Sequence, residues 1–353
     1  MTGFVDSAGE VIKRAVDRNA GIRIAGGGSK AFYGRAARGD EELSTLGHRG
    51  IVDYEPSELV VTARAGTPLA ELEDHLRQHD QVLPFEPPRF GDAATIGGAI
   101  ATGLSGPRRP HAGAARDALL GCEIINGFGE HLAFGGQVMK NVAGYDISRL
   151  MAGALGTLGV ITQVSLRLIP RPVAERTLAF EMDAATAIAR MNAWAGRPLP
   201  LTASCHDGDR LYIRLAGSAS GVDSAAAKLG GEALPDGPDF WSGLREQMWP
   251  FYRDAASLWR LSVSPATPPL DLPGRTVLEW LGGLRWLVSD AAPHRIRGAA
   301  AAAGGHATWF RGHDGDDVFH PLDDGRQKLH RNLKRAFDPV GVLNPGRMYA
   351  DAV

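Results

Sequence analysis

Val11, Ile12, Ala15 and Val16 fall on one face of a 3.6-residue period, which predicts a helix capped at Ser7 and ended by Gly21. Ile22-Arg23-Ile24-Ala25 is too short for a helix and reads as a strand running into Gly26-Gly27-Gly28-Ser29-Lys30. Leu59-Val60-Val61-Thr62-Ala63 is a buried strand closed by Gly66, after which Thr67 and Pro68 open a helix with Leu69, Leu72 and Leu76 on one side. Glu123–Asn126 and His131–Phe134 form the arms of a hairpin around Gly127-Phe128-Gly129. Asp146 and Gly153 bracket a short helix, Ile147–Ala152. From Val160 to Leu168 apolar and polar positions alternate as in a half-buried strand. Beyond residue 172, strands (Arg210–Leu215, Trp259–Val263, Leu284–Val288) alternate with helices (Ala184–Ala195, Ala219–Leu229, Pro293–Ala303). A last helix, Asp324–Phe337, carries Leu329, Leu333 and Phe337 at i, i+4, i+8 and ends in Lys334 and Arg335 before Asp338-Pro339. Mixed elements with hairpin signals favour an α+β fold over a doubly wound parallel sheet.

The 353 residues suffice for about two domains at roughly 150 residues each. Two composition shifts place a boundary near Ile169-Pro170-Arg171-Pro172: 26 of the 45 glycines lie in residues 1–172, and all seven tryptophans lie after them. The expected division is residues 1–172, a second domain over 173–322, and a C-terminal segment, 323–353, returning to the first. The Pro-rich stretch Pro265–Pro273 reads as an exposed loop. The 38 basic and 40 acidic residues give a net charge of −2, without the basic excess of a nucleic-acid binder. Cys122 and Cys205 are too few for an iron–sulfur cluster or a disulfide framework, so no metal is expected and a reducing compartment is. No run of 18 apolar residues occurs, and Asp6 and Glu10 stand where a signal peptide is basic and then apolar. The expectation is a cytoplasmic protein.

Glycine clusters at three element junctions. Consecutive glycines at 26–28 let several N–H groups point into one concavity, a nest for phosphate oxygens, with Lys30 as an added cation. Ala94-Thr95-Ile96-Gly97-Gly98-Ala99-Ile100-Ala101-Thr102-Gly103-Leu104-Ser105-Gly106 is small almost without break, so another body approaches its backbone closely, and Thr95, Thr102 and Ser105 are its side-chain donors. Gly156-Thr157-Leu158-Gly159-Val160-Ile161 leads into the long strand. Taken singly, a plain turn, tight helix packing and a punctuated helix–strand turn explain each segment. Three in one domain call for a ligand.

In that combination the chain resembles the FAD-binding domain of the p-cresol methylhydroxylase and vanillyl-alcohol oxidase superfamily over about residues 20–172. The resemblance implies a PCMH-type domain of two α+β subdomains followed by a smaller α+β cap domain. It places the pyrophosphate of FAD at Gly26, Gly27, Gly28, Ser29 and Lys30 and at Thr95, Ile96, Gly97 and Gly98, further cofactor contacts at Thr102, Ser105 and Gly106, and the adenine side at Gly159, Val160 and Ile161. Asp338-Pro339-Val340-Gly341-Val342-Leu343-Asn344-Pro345-Gly346-Arg347 is similar to the closing segment of that family. Leu83-Pro84-Phe85-Glu86-Pro87-Pro88, Gly103–Arg109 and Val138–Asp146 further resemble the FAD-binding E subunits of bacterial glycolate oxidases. This implies oxidation of glycolate to glyoxylate in a complex with a larger flavoprotein subunit and an iron–sulfur subunit, with any membrane association peripheral and through the complex.

Relatives with a histidyl-linked flavin carry His after the glycine triplet, where this chain has Ser29, so the implied FAD is non-covalent. Arg108 and Arg109 are the candidates for a catalytic clamp on the substrate carboxylate, with internal ion pairing or flavin-phosphate binding as their alternatives. The G-E-H-G type segment of 2-hydroxy-acid-oxidising relatives is missing, which keeps open an electron-relay or scaffold role, or a stand-alone FAD oxidoreductase of another 2-hydroxy acid such as lactate. His306, His313 and His320 recur at sevens, but Gly312 and Gly315 break any helix that would align them, so they read as loop histidines. The tryptophans could anchor partners or fill their own core.

Overall fold

The computed structural model describes residues 3–136, 147–313, 315 and 317–350. The motif Val138–Asp146, and with it the Asp146 cap, lies outside them. The chain forms two compact units: Met1–Leu104 with Ala114–Arg171 and Pro321–Val353, and Ser105–Gly113 with Pro172–His320.

The first unit contains a five-stranded antiparallel sheet in the order Ile51–Glu55, Val60–Arg64, Val160–Arg167, Leu119–Ile125, His131–Gly135. Val160–Arg167 is the middle strand, and alternation alone misjudged it. Thr162, Val164 and Leu166 are buried on one side and Ile161 and Ser165 on the other, leaving only Gln163 and Arg167 partly exposed. Ser165 Oγ and Thr62 Oγ1 share a 2.8 Å hydrogen bond across the sheet. Helices Leu69–Arg77 and Ile96–Thr102 bury Leu69, Leu72, Leu76, Ile96 and Ile100 in the core on this sheet. The first helix runs Phe4–Arg18, not from Ser7, because Phe4 and Val5 already pack on its core cluster; it ends at Asn19 in the left-handed conformation (φ 52°).

A second layer of this unit pairs Ile22–Ala25 in parallel with Glu41–Ser44, and the C-terminal tail docks on its other edge. Ile22 N–H donates to the Val342 carbonyl (2.7 Å), Asn344 N–H to the Ile22 carbonyl (2.9 Å), and Ile24 N–H to Asn344 Oδ1 (2.8 Å). The turn that presents this tail is organised by Asp338, which is fully buried. Its carboxylate accepts from the amides of Gly341, Val342 and Leu343 and from Lys334 Nζ at 2.6 Å. Lys334 also donates to the carbonyls of Thr157 (2.8 Å) and Leu343 (2.9 Å). Burial holds this lysine below the ordinary range, against the opposing pull of Asp338.

The second unit is built on an eight-stranded antiparallel sheet in the order Glu232–Leu234, Ala174–Glu181, Arg210–Gly217, Leu201–His206, Arg275–Glu279, Leu284–Val288, Leu258–Ser262, His306–Arg311. Helices Ala184–Ala195, Ala219–Leu229 and Pro293–Ala302 fall where the periodicity predicts them. Five of the strands escape sequence reading. Leu201-Thr202-Ala203-Ser204-Cys205-His206 alternates apolar and polar residues, but its apolar residues after Leu201 are small, and it is an interior strand whose Ser204 and His206 are buried and hydrogen-bonded. Trp194, Trp241, Trp259, Trp280 and Trp286 are buried inside the unit, so these five fill its own core and are not partner anchors.

Asp338→Ala should cost about 3 kcal/mol or more, because it strands a buried ammonium and three amides. Leu329→Ala, at a side chain 57% exposed, should stay within about 0.5 kcal/mol. Urea unfolding of both variants checks this, and a loss below about 1 kcal/mol for Asp338→Ala would show the pair to be dispensable.

Candidate cofactor site

The three glycine segments meet in the first unit around a cavity of about 360 Å³. Gly26–Gly28 leave the end of strand Ile22–Ala25 and turn back at Gly28, whose φ is +70°. Only glycine fits at position 27, since a Cβ there would lie 1.4 Å from the Ala93 carbonyl oxygen. The amides of Gly27, Gly28 and Ser29 find no acceptor among the described residues, while all three residues line the cavity. Unsatisfied N–H groups at a cavity wall are what an anionic group requires.

The second segment is the helix Ile96–Thr102 and its cap. Thr95 Oγ1 accepts from the Gly98 amide (3.2 Å), and Thr102 Oγ1 donates to the Gly98 carbonyl (2.9 Å), so both hydroxyls are engaged by their own helix. The paired glycines differ in purpose. A Cβ on Gly97 would lie 2.6 Å from Ala65 Cβ, so that glycine serves helix packing; one on Gly98 would approach only Thr95 Oγ1, at 3.2 Å. Of the third segment, Gly159 and Ile161 line the cavity, with Leu155 and Gly156 beside them. Gly159 also packs closely, since a Cβ there would lie 2.8 Å from Ile124 Cδ1.

Gly26, Gly27, Gly28, Ser29 and Lys30 therefore share one wall region with Thr95, Gly97, Gly98 and Thr102. Lys30 does not project as a bare cation: it is buried, and its Nζ donates to the Arg89 carbonyl at 3.1 Å. Ile96 and Val160 do not line the cavity. Both are fully buried core residues, because the residue beside a ligand-facing one on a helix or strand points the other way. Ser105, Gly106, Arg108 and Arg109 belong to the second unit. There the Gly106 carbonyl accepts from Trp280 Nε1 (3.0 Å), the Arg109 guanidinium lies over the Trp280 ring at 4.2 Å with Arg260 at 5.2 Å, and Arg108 is buried.

Asn344 and Arg347 are cavity residues that the sequence reading left out of the site. Asn344 joins the Ile24 amide to the Leu155 carbonyl, and Arg347 donates to the carbonyls of Ala31, Tyr33 and Arg35, fixing the loop after the glycines. Their signal was the Asn344-Pro345-Gly346-Arg347 motif, whose partners at Ile24 and Ala31–Arg35 lie more than three hundred residues upstream and at Leu155 189 residues upstream. Neither cysteine lines the cavity; burial pushes the Cys205 thiol well up, and Cys122 sits in the core. His313 and His320 accept from the amides of Gly315 and Ala307, His306 is exposed, and no group of three metal-ligating side chains occurs among the described residues.

Residues 5–135 match the family described as FAD binding domain. Over 342 residues the chain is 47% identical to glycolate oxidase subunit GlcE of Escherichia coli (strain K12), covering 97% of this chain and 96% of that one. A 128-residue stretch, 36% of this chain and 27% of the relative, is 31% identical to glycolate oxidase subunit GlcD of Bacillus subtilis (strain 168). Among solved structures, p-cresol methylhydroxylase with substrate bound superposes with a TM-score of 0.70 at 16% identity, covering 97% of this chain and 87% of that one, which establishes a shared fold. With that fold and a likeness running nearly end to end, the chain belongs to the family of the glycolate oxidase subunit GlcE.

Proposed function

We propose that this chain is the FAD-holding subunit of a multi-subunit glycolate oxidase, which oxidises glycolate to glyoxylate and passes the electrons to an iron–sulfur partner. In this reading a larger FAD-containing subunit belongs to the same complex. The observation that carries it is the cavity whose glycine wall offers unpaired amides, in a chain alike over 97% of its length to GlcE. FAD bound there supplies the two-electron acceptor. The amides of Gly27, Gly28 and Ser29 take the pyrophosphate oxygens, Gly98 leaves room for them, and Asn344 and Arg347 hold the loop in place. The attachment in this reading is non-covalent, with Ser29 after the glycine triplet and no histidine or cysteine among the described residues that line the cavity. We propose a cytoplasmic location for the complex, or one at the inner face of the membrane; no helix among the described residues is long and apolar enough to cross a membrane.

Arg109 is the residue assigned to the glycolate carboxylate, because a guanidinium matches a carboxylate bidentately. Burial of Arg108 assigns it a supporting role. The second reading, a relay or scaffold subunit whose sister performs the oxidation, draws on the missing G-E-H-G type segment and on the absence of a histidine among the described residues that line the cavity. Anaerobic mixing of the purified subunit with glycolate separates the two: bleaching of the flavin supports catalysis in this chain, and an unchanged spectrum assigns the step to the sister.

Acid precipitation should release the yellow chromophore into the supernatant; colour retained in the pellet would refute non-covalent attachment. Gly98→Val should yield a folded protein without flavin, whereas Gly97→Val should lose about 1–3 kcal/mol of stability by overpacking against Ala65. Flavin absorbance per protein and urea midpoints read both, and full flavin content in Gly98→Val would move the cofactor elsewhere. Arg109→Lys keeps the charge but loses bidentate geometry. A charge-assisted hydrogen bond of about 1.5–3 kcal/mol implies a rise in KM for glycolate of roughly ten- to a hundredfold, with flavin content unchanged.

A further inference from the structure

The outer face of helix Asp324–Phe337 is not accounted for by the cofactor site. Lys328, Arg331 and Arg335 are exposed and have no acidic partner among the described residues, while Arg326 is paired with Asp323 at the helix start. At 100° per residue the three cations fall within one narrow stripe, about 10 Å long at 1.5 Å per residue. In a chain of net charge −2 this is a local excess. Leu329 borders the stripe and is 57% exposed. One turn on, Leu333 leads into a second cavity of about 230 Å³ in the same unit, with Leu150, Leu158 and Met348 on its apolar side, Leu150 39% exposed, and with Asn344 and Arg347 shared with the cofactor cavity.

That volume lies below the roughly 300–1,000 Å³ of small-molecule pockets and suits a single large apolar side chain. A basic stripe beside an apolar hole matches the anatomy of a protein interface, in which a central anchor fills a pocket and rim charges select the partner. An exposed leucine between the two makes the surface continuous.

We propose that this face docks an acidic surface of a sister subunit, which inserts an apolar side chain into the Leu150–Leu333–Met348 cavity while its carboxylates face Lys328, Arg331 and Arg335. The proposal rests on the multi-subunit reading above and adds to it the place and chemistry of the contact.

The test co-expresses the tagged chain with the larger flavoprotein and iron–sulfur subunits of its own complex and compares wild type with K328E/R331E/R335E and with Leu150→Glu. Both variants should recover a sister subunit about tenfold less well or worse, with flavin content and thermal midpoint unchanged, and added salt should weaken the wild-type complex. Arg331→Glu alone and Leu150→Glu carry the test if the triple variant fails to fold. Wild-type recovery of both sisters by all variants overturns this surface and leaves the complex standing. Failure of the wild-type chain to recover either sister overturns the complex and this surface with it. Binding to phosphatidylglycerol vesicles that the triple variant loses, with the complex intact, would also overturn the proposal in favour of a lipid surface.

Discussion

Lys334 and Asp338 form a buried ion pair whose hydrogen bonds reach most of what the cofactor cavity needs. Through three backbone amides, Asp338 shapes the turn that lays Val342–Asn344 along Ile22–Ile24, the strand from which the glycine triplet departs. Through the Thr157 carbonyl, Lys334 fixes the loop holding Gly156 and Gly159. Two of the three glycine segments are thus positioned by one contact from the last thirty residues of the chain. A buried pair of this kind adds little net stability, because desolvation offsets the attraction. Its value lies in specifying one arrangement, since each unmade bond would leave a charged or polar group orphaned.

The small residues of the first unit divide between packing and binding, and the division follows from what stands opposite each missing Cβ. Gly27, Gly97 and Gly159 face the protein's own atoms, at Ala93, Ala65 and Ile124. Gly98 faces little except open space at the cavity. Tight packing and ligand accommodation are therefore both at work along one run, in alternate positions.

In the second unit, aromatic and cationic side chains are combined in the interior. Arg109 and Arg260 lie over Trp280, Arg214 over Trp241, and Trp280 is tied to the Gly106 carbonyl. The segment Ser105–Gly113 thus packs with the second unit even though its neighbours in sequence lie in the first. This is why Ser105 and Gly106, which continue the small-residue run, do not share its cavity.

Periodicity alone determined the helices Ala184–Ala195, Ala219–Leu229 and Asp324–Phe337, the hairpin around Gly127, and the strand leading into the glycine triplet, because each is decided by neighbours three or four residues away. The glycine segments likewise announced a ligand, since close approach to backbone demands small residues wherever it occurs. Tertiary structure decided the rest. Leu201–His206 became an interior strand because Arg214, Leu281 and Met182 satisfy its polar side chains, and Val160–Arg167 was buried on both faces because the rest of the unit covers both sides of its sheet. Asn344 and Arg347 entered the cavity because chain ends meet there, and such long-range contacts leave no period in the sequence.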